Sequence, residues 1–252
     1  MSLRVALALS VLVSLSGCVS SGQVDPLSTQ AGREEARNAY VQLGLGYLKQ
    51  GDPERAKAPL SKALELDPSY ANAHAALALV FQTQMEAELA DKHYREALQR
   101  SDDARILNNY GSFLFEQGRY EEALARFEQA SKDTLYDGRS HVFENMGLTA
   151  LKLGREEQAS KYFARAVRLN ARQPGALLEL ASLAYESKDY VPAKQYYDRF
   201  VRLGEENARS LLLGIRLADI FQKPSDAASL GLRLQRLYPS SAEYRTYLSE
   251  QR

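Results

Sequence analysis

The sequence holds little of what site chemistry usually needs. Its 252 residues include one cysteine, three histidines and no tryptophan. A lone cysteine excludes an internal disulfide. With His74, His93 and His141 scattered, it also gives none of the ligand spacings of a structural zinc site, so no metal is expected. Neither sign of charge is in excess: Lys plus Arg is 32 and Asp plus Glu is 32. A nucleic-acid binder usually carries a basic surplus or stripe, so no nucleic-acid partner is expected. Phosphate loops and dinucleotide glycine motifs are missing, so no cofactor and no small-molecule substrate is expected. The missing tryptophan excludes nothing. What is present, 45% apolar and 25% charged residues, is the composition of a folded chain rather than a disordered one.

An apolar run opens the sequence, MSLRVALALSVLVSLSGC, with Arg4 ahead of Val5 to Leu15. Eleven helical residues reach about 16 Å, short of a bilayer core of roughly 30 Å. A signal peptide over 1–17 fits better than a membrane span, a buried helix or a mitochondrial presequence. Leu15-Ser16-Gly17-Cys18 resembles the bacterial lipoprotein signal, which is cleaved just before the cysteine. That resemblance implies acylation of Cys18, and two or more chains anchor firmly where one does not. Val19 stands where aspartate would favour inner-membrane retention, so delivery to the outer membrane is expected, with the folded part in the periplasm. Residues 18–36 are polar and without apolar period, and read as the lipidated cysteine plus a flexible tether.

From there the sequence repeats. Tyr40, Leu43-Gly44 and Tyr47 are followed by Gly51, Ala56, Leu60, Ala63 and Pro68. This order of aromatic, Leu-Gly, aromatic, Ala and Pro is the tetratricopeptide pattern. A small residue of the first helix recurs at 44, 78, 111, 147, 181 and 214, and one of the second helix at 56, 90, 123, 159, 193 and 227. The intervals run 34, 33, 36, 34 and 33 on the first ruler and 34, 33, 36, 34 and 34 on the second. Two rulers in phase predict an all-α fold: a right-handed superhelical solenoid of six tetratricopeptide repeats, about 12 antiparallel helices. The repeats are placed at 37–70, 71–103, 104–139, 140–173, 174–206 and 207–239, with a C-terminal cap over 240–252 that uses Tyr244, Tyr247 and Leu248.

The physical basis is steric. Small residues such as Gly111 and Ala123 are expected to let paired helices approach, while Tyr94, Phe127, Phe163 and Tyr197 fill the space between repeats. Gly51, Gly118 and Gly154 fit helix C-caps. Repeat two has Gln84-Met85-Glu86 there instead, and in repeat six Ser225 is a candidate N-cap. The extra residues between repeats three and four, Ser131 to Arg139, are expected to bulge rather than splay the array. Glu34-Glu35, Glu121-Glu122 and Glu156-Glu157 read as acids at helix starts, which favour the helix dipole.

By the usual orientation of the motif, residues between the packing positions of the first helices line a groove. In repeats one and two these are Asn38, Val41, Leu45, Leu48, Asn72, Ala75, Leu79 and Gln82. In repeats three and four they are Asn108, Ser112, Phe115, His141, Glu144, Leu148 and Leu151. An apolar groove with a polar rim suits a protein segment. Packing of these residues under the tether or against one another is the plainer alternative. Catalysis has little support: His141 has Glu144 at i+3 but no nucleophile or oxyanion donor beside it, so no enzyme is expected.

Longer runs carry a closer resemblance: Ala36-Arg-Asn-Ala-Tyr-Val-Gln-Leu-Gly-Leu-Gly-Tyr47, Leu107-Asn-Asn-Tyr-Gly111, Val142-Phe-Glu-Asn-Met-Gly147 and Ala208-Arg-Ser-Leu-Leu-Leu-Gly-Ile-Arg216. With the lipoprotein signal, they resemble the type IV pilus biogenesis and stability lipoproteins over nearly the whole chain. That resemblance implies an outer-membrane pilotin without enzyme activity or cofactor. Its partners would be membrane lipid, through Cys18, and secretin subunits, bound at the early repeats and helped to multimerise. A lipid-anchored scaffold for cell-wall synthesis or outer-membrane protein insertion is the alternative.

Overall fold

The computed structural model describes residues 25–251. The signal sequence, Cys18 and most of the tether lie outside them. Thirteen α-helices are described, after a short 3-10 turn at Pro26–Ser28, and no strand is present among the described residues. They are α1 (Gln30–Lys49), α2 (Pro53–Leu66), α3 (Ala71–Thr83), α4 (Ala87–Leu98), α5 (Ala104–Glu116), α6 (Tyr120–Ala130) and α7 (Arg139–Lys152). Then come α8 (Glu156–Leu169), α9 (Pro174–Glu186), α10 (Tyr190–Val201), α11 (Ala208–Ile220), α12 (Pro224–Leu237) and α13 (Ala242–Glu250). The chain forms two compact units, one up to Pro68 and one from Ser69 onward.

The first unit is the pair α1 and α2. Helix α1 opens at Gln30, inside the segment read as a tether. Thr29 Oγ1 accepts the Gly32 N–H at 3.0 Å, and Arg33 reaches back to the Leu27 carbonyl at 2.8 Å. Those polar contacts start a helix that apolar spacing does not announce. Glu34-Glu35 therefore lie inside the helix rather than at its start, a correction to the expectation. The pair closes through Gly44, where an added Cβ would stand 2.5 Å from the Leu60 side chain. Arg37 Nη1 donates to Asp67 Oδ2 at 2.9 Å and ties the open ends of the pair together.

The second unit stacks five helix pairs, and each pair packs along its length. Gly111 and Gly147 do make room, but for a ring rather than for the facing alanine. An added Cβ would stand 2.6 Å from Phe127 and 2.5 Å from Phe163 respectively. Phe127 and Phe163 thus fill the space inside their own repeat, which corrects the expectation. Tyr197 does bridge forward, onto Gly214 of the next repeat. Tyr94 also reaches forward, its ring centroid 5.1 Å from Tyr110 and 5.6 Å from Phe113. One core cluster runs from Ala78 to Met146 and another from Ala150 to Leu217, and half-buried Phe143 and Tyr162 pack against both.

A left-handed residue ends the first helix of every pair. Gly51, Gly118 and Gly154 have φ of 76°, 73° and 72°; Met85, Lys188 and Gln222 take φ of 61°, 62° and 54° at the matching positions. The turn geometry survives the loss of glycine. In each case it is fixed by one backbone bond, such as Glu86 N–H to Phe81 O at 2.9 Å and Lys223 N–H to Ala218 O at 2.8 Å. Ser225 does not cap α12: Lys223 occupies the cap position without a side-chain bond, and Pro224 opens the helix one residue too early for Ser225 to reach.

The insertion 131–138 bulges. Arg139 Nε donates back to the Ser131 carbonyl at 2.7 Å, closing the loop, while Val142 and Met146 stay in the core with Phe127 and Ala130. At the end of the chain Ser241 caps α13. Tyr244 and Tyr247 pack on the Leu211, Leu212, Ile215 cluster, but Leu248 remains 45% exposed and covers nothing.

Candidate protein-binding face

The face of the first helices carries the candidate site. In the first unit Asn38 is exposed, Leu45 and Leu48 are half-buried, and Val41 is buried at 3% exposure, so it serves packing rather than contact. On α3, Ala75 is likewise buried. Asn72 is half-buried and donates to the Tyr70 hydroxyl at 3.2 Å. Leu79 packs against the repeat-two-to-four core. Gln82 is taken up structurally: its Oε1 accepts the Tyr94 hydroxyl at 3.0 Å and its Nε2 donates to Glu116 Oε2 at 2.7 Å, linking two successive repeats. Burial pushes the Tyr94 hydroxyl well above the usual tyrosine range, with Glu116 adding to it, so Tyr94 stays a neutral donor.

Repeats three and four form a better-defined pocket. A cavity of 280 Å³ is lined by Ser112, Phe115, Glu116, Phe127, Asn145 and Leu148. Helices α5 and α7 supply most of its wall. Phe115 is held edge-on to Tyr120 at 5.3 Å. Ser112 Oγ donates to the Asn108 carbonyl at 3.1 Å, and Asn145 Nδ2 donates to Asn108 Oδ1 at 3.2 Å. The result is an apolar floor under a rim of hydroxyl and amide groups, which can seat one bulky side chain and hydrogen-bond the backbone that carries it.

His141 and Glu144 do meet, at 3.7 Å. The group that organises them is Gln173, whose Nε2 approaches His141 Nδ1 at 2.9 Å and also donates to Glu144 Oε2. Gln173 is buried at 2% exposure and precedes α9, so this cluster joins repeats four and five. Sequence spacing missed Gln173, Asn145 and Glu116 because each acts across a boundary between repeats. His74 and His93 face each other with Nδ1 atoms 3.0 Å apart, and His93 stacks on Phe81 at 5.3 Å, as packing residues. Among the described residues no group of His, Cys, Asp and Glu could hold a metal ion, and no helix is long and apolar enough to cross a membrane.

Helix pairs recurring every 33 to 36 residues, each closed on a small residue of its first helix (Gly44 on Leu60, Gly111 on Phe127, Gly147 on Phe163), define a tetratricopeptide repeat protein. Models of that repeat match residues 38–70, 102–172 and 145–208. The chain is 58% identical over 251 residues to the type IV pilus assembly protein PilF of Pseudomonas aeruginosa, a match covering 99% of this chain and 100% of the relative, and it belongs to that family. A solved structure from a functional characterisation of Pseudomonas aeruginosa PilF aligns with TM-score 0.84 at 60% identity, over 87% of this chain and 99% of that one. PilW, described as a widely conserved type IV pilus biogenesis factor, aligns with TM-score 0.70 at 29% identity, over 84% of this chain and 98% of that one. The chain is accordingly a non-enzymatic protein-interaction module.

Proposed function

We propose that this chain serves type IV pilus biogenesis as an outer-membrane pilotin. Acylated at Cys18, it binds secretin subunits on its first-helix face and promotes their delivery to the outer membrane and their multimerisation. Full-length similarity to an assembly protein for this pilus supports the pathway. The observation that carries the binding role is the pocket of Ser112, Phe115, Asn145 and Leu148, apolar within and amide-rimmed. It lies later in the array than the early-repeat residues picked out by the sequence pattern, two of which are buried in packing.

The test is genetic and direct. In a deletion strain, secretin multimers are expected to fall and monomers to accumulate, with rescue by the wild-type chain. Leu148→Glu places a charge in the half-buried pocket wall. It is expected to keep helicity, lose about tenfold or more in secretin capture, and fail to rescue. Unchanged multimers in the deletion strain would remove the pilotin role. Wild-type capture by a folded L148E chain would remove the pocket from it.

A further inference from the structure

Equal totals of acid and base conceal a local ladder. The second helices of the last three repeats end in the same five-residue pattern, Arg-x-x-Arg followed by an apolar residue. It reads Arg165 to Leu169 on α8, Arg199 to Leu203 across the C-terminal end of α10 and Arg233 to Leu237 on α12, each 34 residues after the last. Six arginines therefore stand in register at the C-terminal ends of the second helices of three successive repeats within the second unit. Arg168, Arg202, Arg233 and Arg236 are exposed, and Arg165 and Arg199 are half-buried. Arg165 lies over the Phe143 ring at 5.9 Å. Among the described residues Arg233 pairs with Glu206, and the other five arginines make no ion pair. Of the nearby acids, Asp198 is held by Lys194 at 2.6 Å, and Glu205 is exposed. Next to these arginines in the chain stand exposed apolar side chains: Leu169 at 43%, Val201 at 49% and Leu237 at 48%.

Helix termini alone do not call for this. A cation near a helix C-terminus gains about 0.3–1 kcal/mol from the dipole. Yet the matching positions carry Glu96 and Gln99 on α4, and Gln129 and Lys132 at the end of α6, and those helices are complete. Arginine with an interleaved leucine or valine is the chemistry of a headgroup boundary. The guanidinium meets lipid phosphate while the stem and the apolar neighbour lie against the upper acyl chains. A nucleic-acid backbone would use the arginines and leave the leucines idle.

We propose that this arginine ladder is a docking surface for an anionic lipid bilayer, which lays the last three repeats on the membrane that holds the anchor. The inference rests on the reading that Cys18 is acylated. Each arginine near an anionic surface contributes attraction that salt screens.

The absence of tryptophan makes the test clean. Val201→Trp places a single reporter in the ladder. Val191→Trp places one at the far end of the same helix, about 15 Å away along its axis. Acylated full chains and C18A chains are mixed with vesicles of phosphatidylglycerol and phosphatidylcholine, or of phosphatidylcholine alone, each carrying brominated acyl chains. Expected is at least about twofold stronger quenching of V201W than of V191W in the anionic vesicles only, in both acylated and C18A chains, reversed by 0.5 M salt. R168Q/R202Q/R236Q is expected to abolish the difference and to weaken C18A binding to anionic vesicles about tenfold or more. Equal quenching of the two reporters, or quenching indifferent to the triple substitution, overturns the ladder. So does ladder-dependent retention on duplex DNA without vesicle quenching, which would reassign it to a nucleic acid. Flotation of the acylated chain with neutral vesicles reports the anchor separately. Its loss alone would sink the Cys18 reading and leave the ladder standing.

Discussion

At the residue scale the turn positions offer the sharpest tests. Gly154 and Gln222 hold the same left-handed backbone in repeats four and six, and Gly154 has open space where a Cβ would go. The cost of a side chain there is conformational alone, about 1 kcal/mol. Gly154→Ala is thus expected to lower stability by about 1 kcal/mol, and Gln222→Gly to raise it by up to about the same amount. Urea denaturation of both variants checks the pair; equal and opposite signs are the expectation, and a stabilising G154A would refute it. His93 gives a pH test. Burial first, then His74 and Lys92, lower its pKa from 6.5 to about 4, while Glu96 opposes them. Because the folded value is the lower one, the unfolded chain binds more protons between pH 6.5 and about 4, so stability is lost as pH falls through that window. Replacing His93 with Gln is expected to flatten the fall in urea midpoint between pH 7 and pH 5; an unchanged slope would show that the ring contributes nothing.

At the scale of the element, the repeat period was readable because it is a packing rule. A glycine that must admit Phe127 or Phe163 cannot drift in phase without breaking the helix pair. The identity of the facing group was less legible. Small residues at Gly111 and Ala123 look like partners in sequence, and only the structure shows that the Phe127 ring fills the space at Gly111. The start of α1 was hidden for a different reason: Thr29 and Arg33 set it through polar bonds, while its first residues carry no apolar stripe. The pocket was half legible. Ser112, Phe115 and Leu148 follow from helical period, whereas Asn145 against Asn108 depends on how α5 and α7 lie beside each other, which the period within one helix does not give. Ser225 failed as a cap because Pro224 had already begun the helix; the working side-chain caps sit at Thr29, Asp52, Asp103, Asn207 and Ser241. Of these Ser241 gives the most local test. It accepts the Tyr244 N–H at 3.1 Å at the start of a nine-residue helix with no fully buried residue. Ser241→Ala is expected to cost about 1 kcal/mol and to act locally. Faster amide exchange confined to α13 would bear this out, and a global loss of stability without it would count against the cap.

At the scale of the molecule, stability should be graded along the second unit rather than shared evenly. Stacked repeats gain from their own helix pair and from each neighbour, so an interior pair is supported on two sides and a terminal one on one side. The cores follow that logic. Phe143 and Tyr162 sit against the clusters on both sides of them, joining repeats two to six through α7 and α8, whereas the Leu211, Leu212, Ile215, Leu234 cluster is a separate, smaller one closed by two tyrosines of α13. Ion pairs brace this end as well: Arg216 Nη2 reaches Glu250 at 2.5 Å, and Arg209 binds Glu179. Such exposed pairs contribute only about 0–1 kcal/mol each, too little to replace a missing neighbour. Amide exchange in α12 and α13 is therefore expected to run about tenfold or more faster than in α7 and α8, through local opening rather than global unfolding. Raising salt to 0.5 M should widen that difference by weakening the Arg216–Glu250 brace. Uniform protection from α7 to α13, insensitive to salt, would mean that the last cluster is as firmly coupled as the interior ones and that the terminal tyrosines do more than their half-buried area implies. The gradient also bears on the ladder: a bilayer that engages Arg199, Arg202 and Arg236 would stabilise the end of the array that is weakest in solution, so anionic vesicles are expected to slow exchange in α12 and leave α7 unchanged.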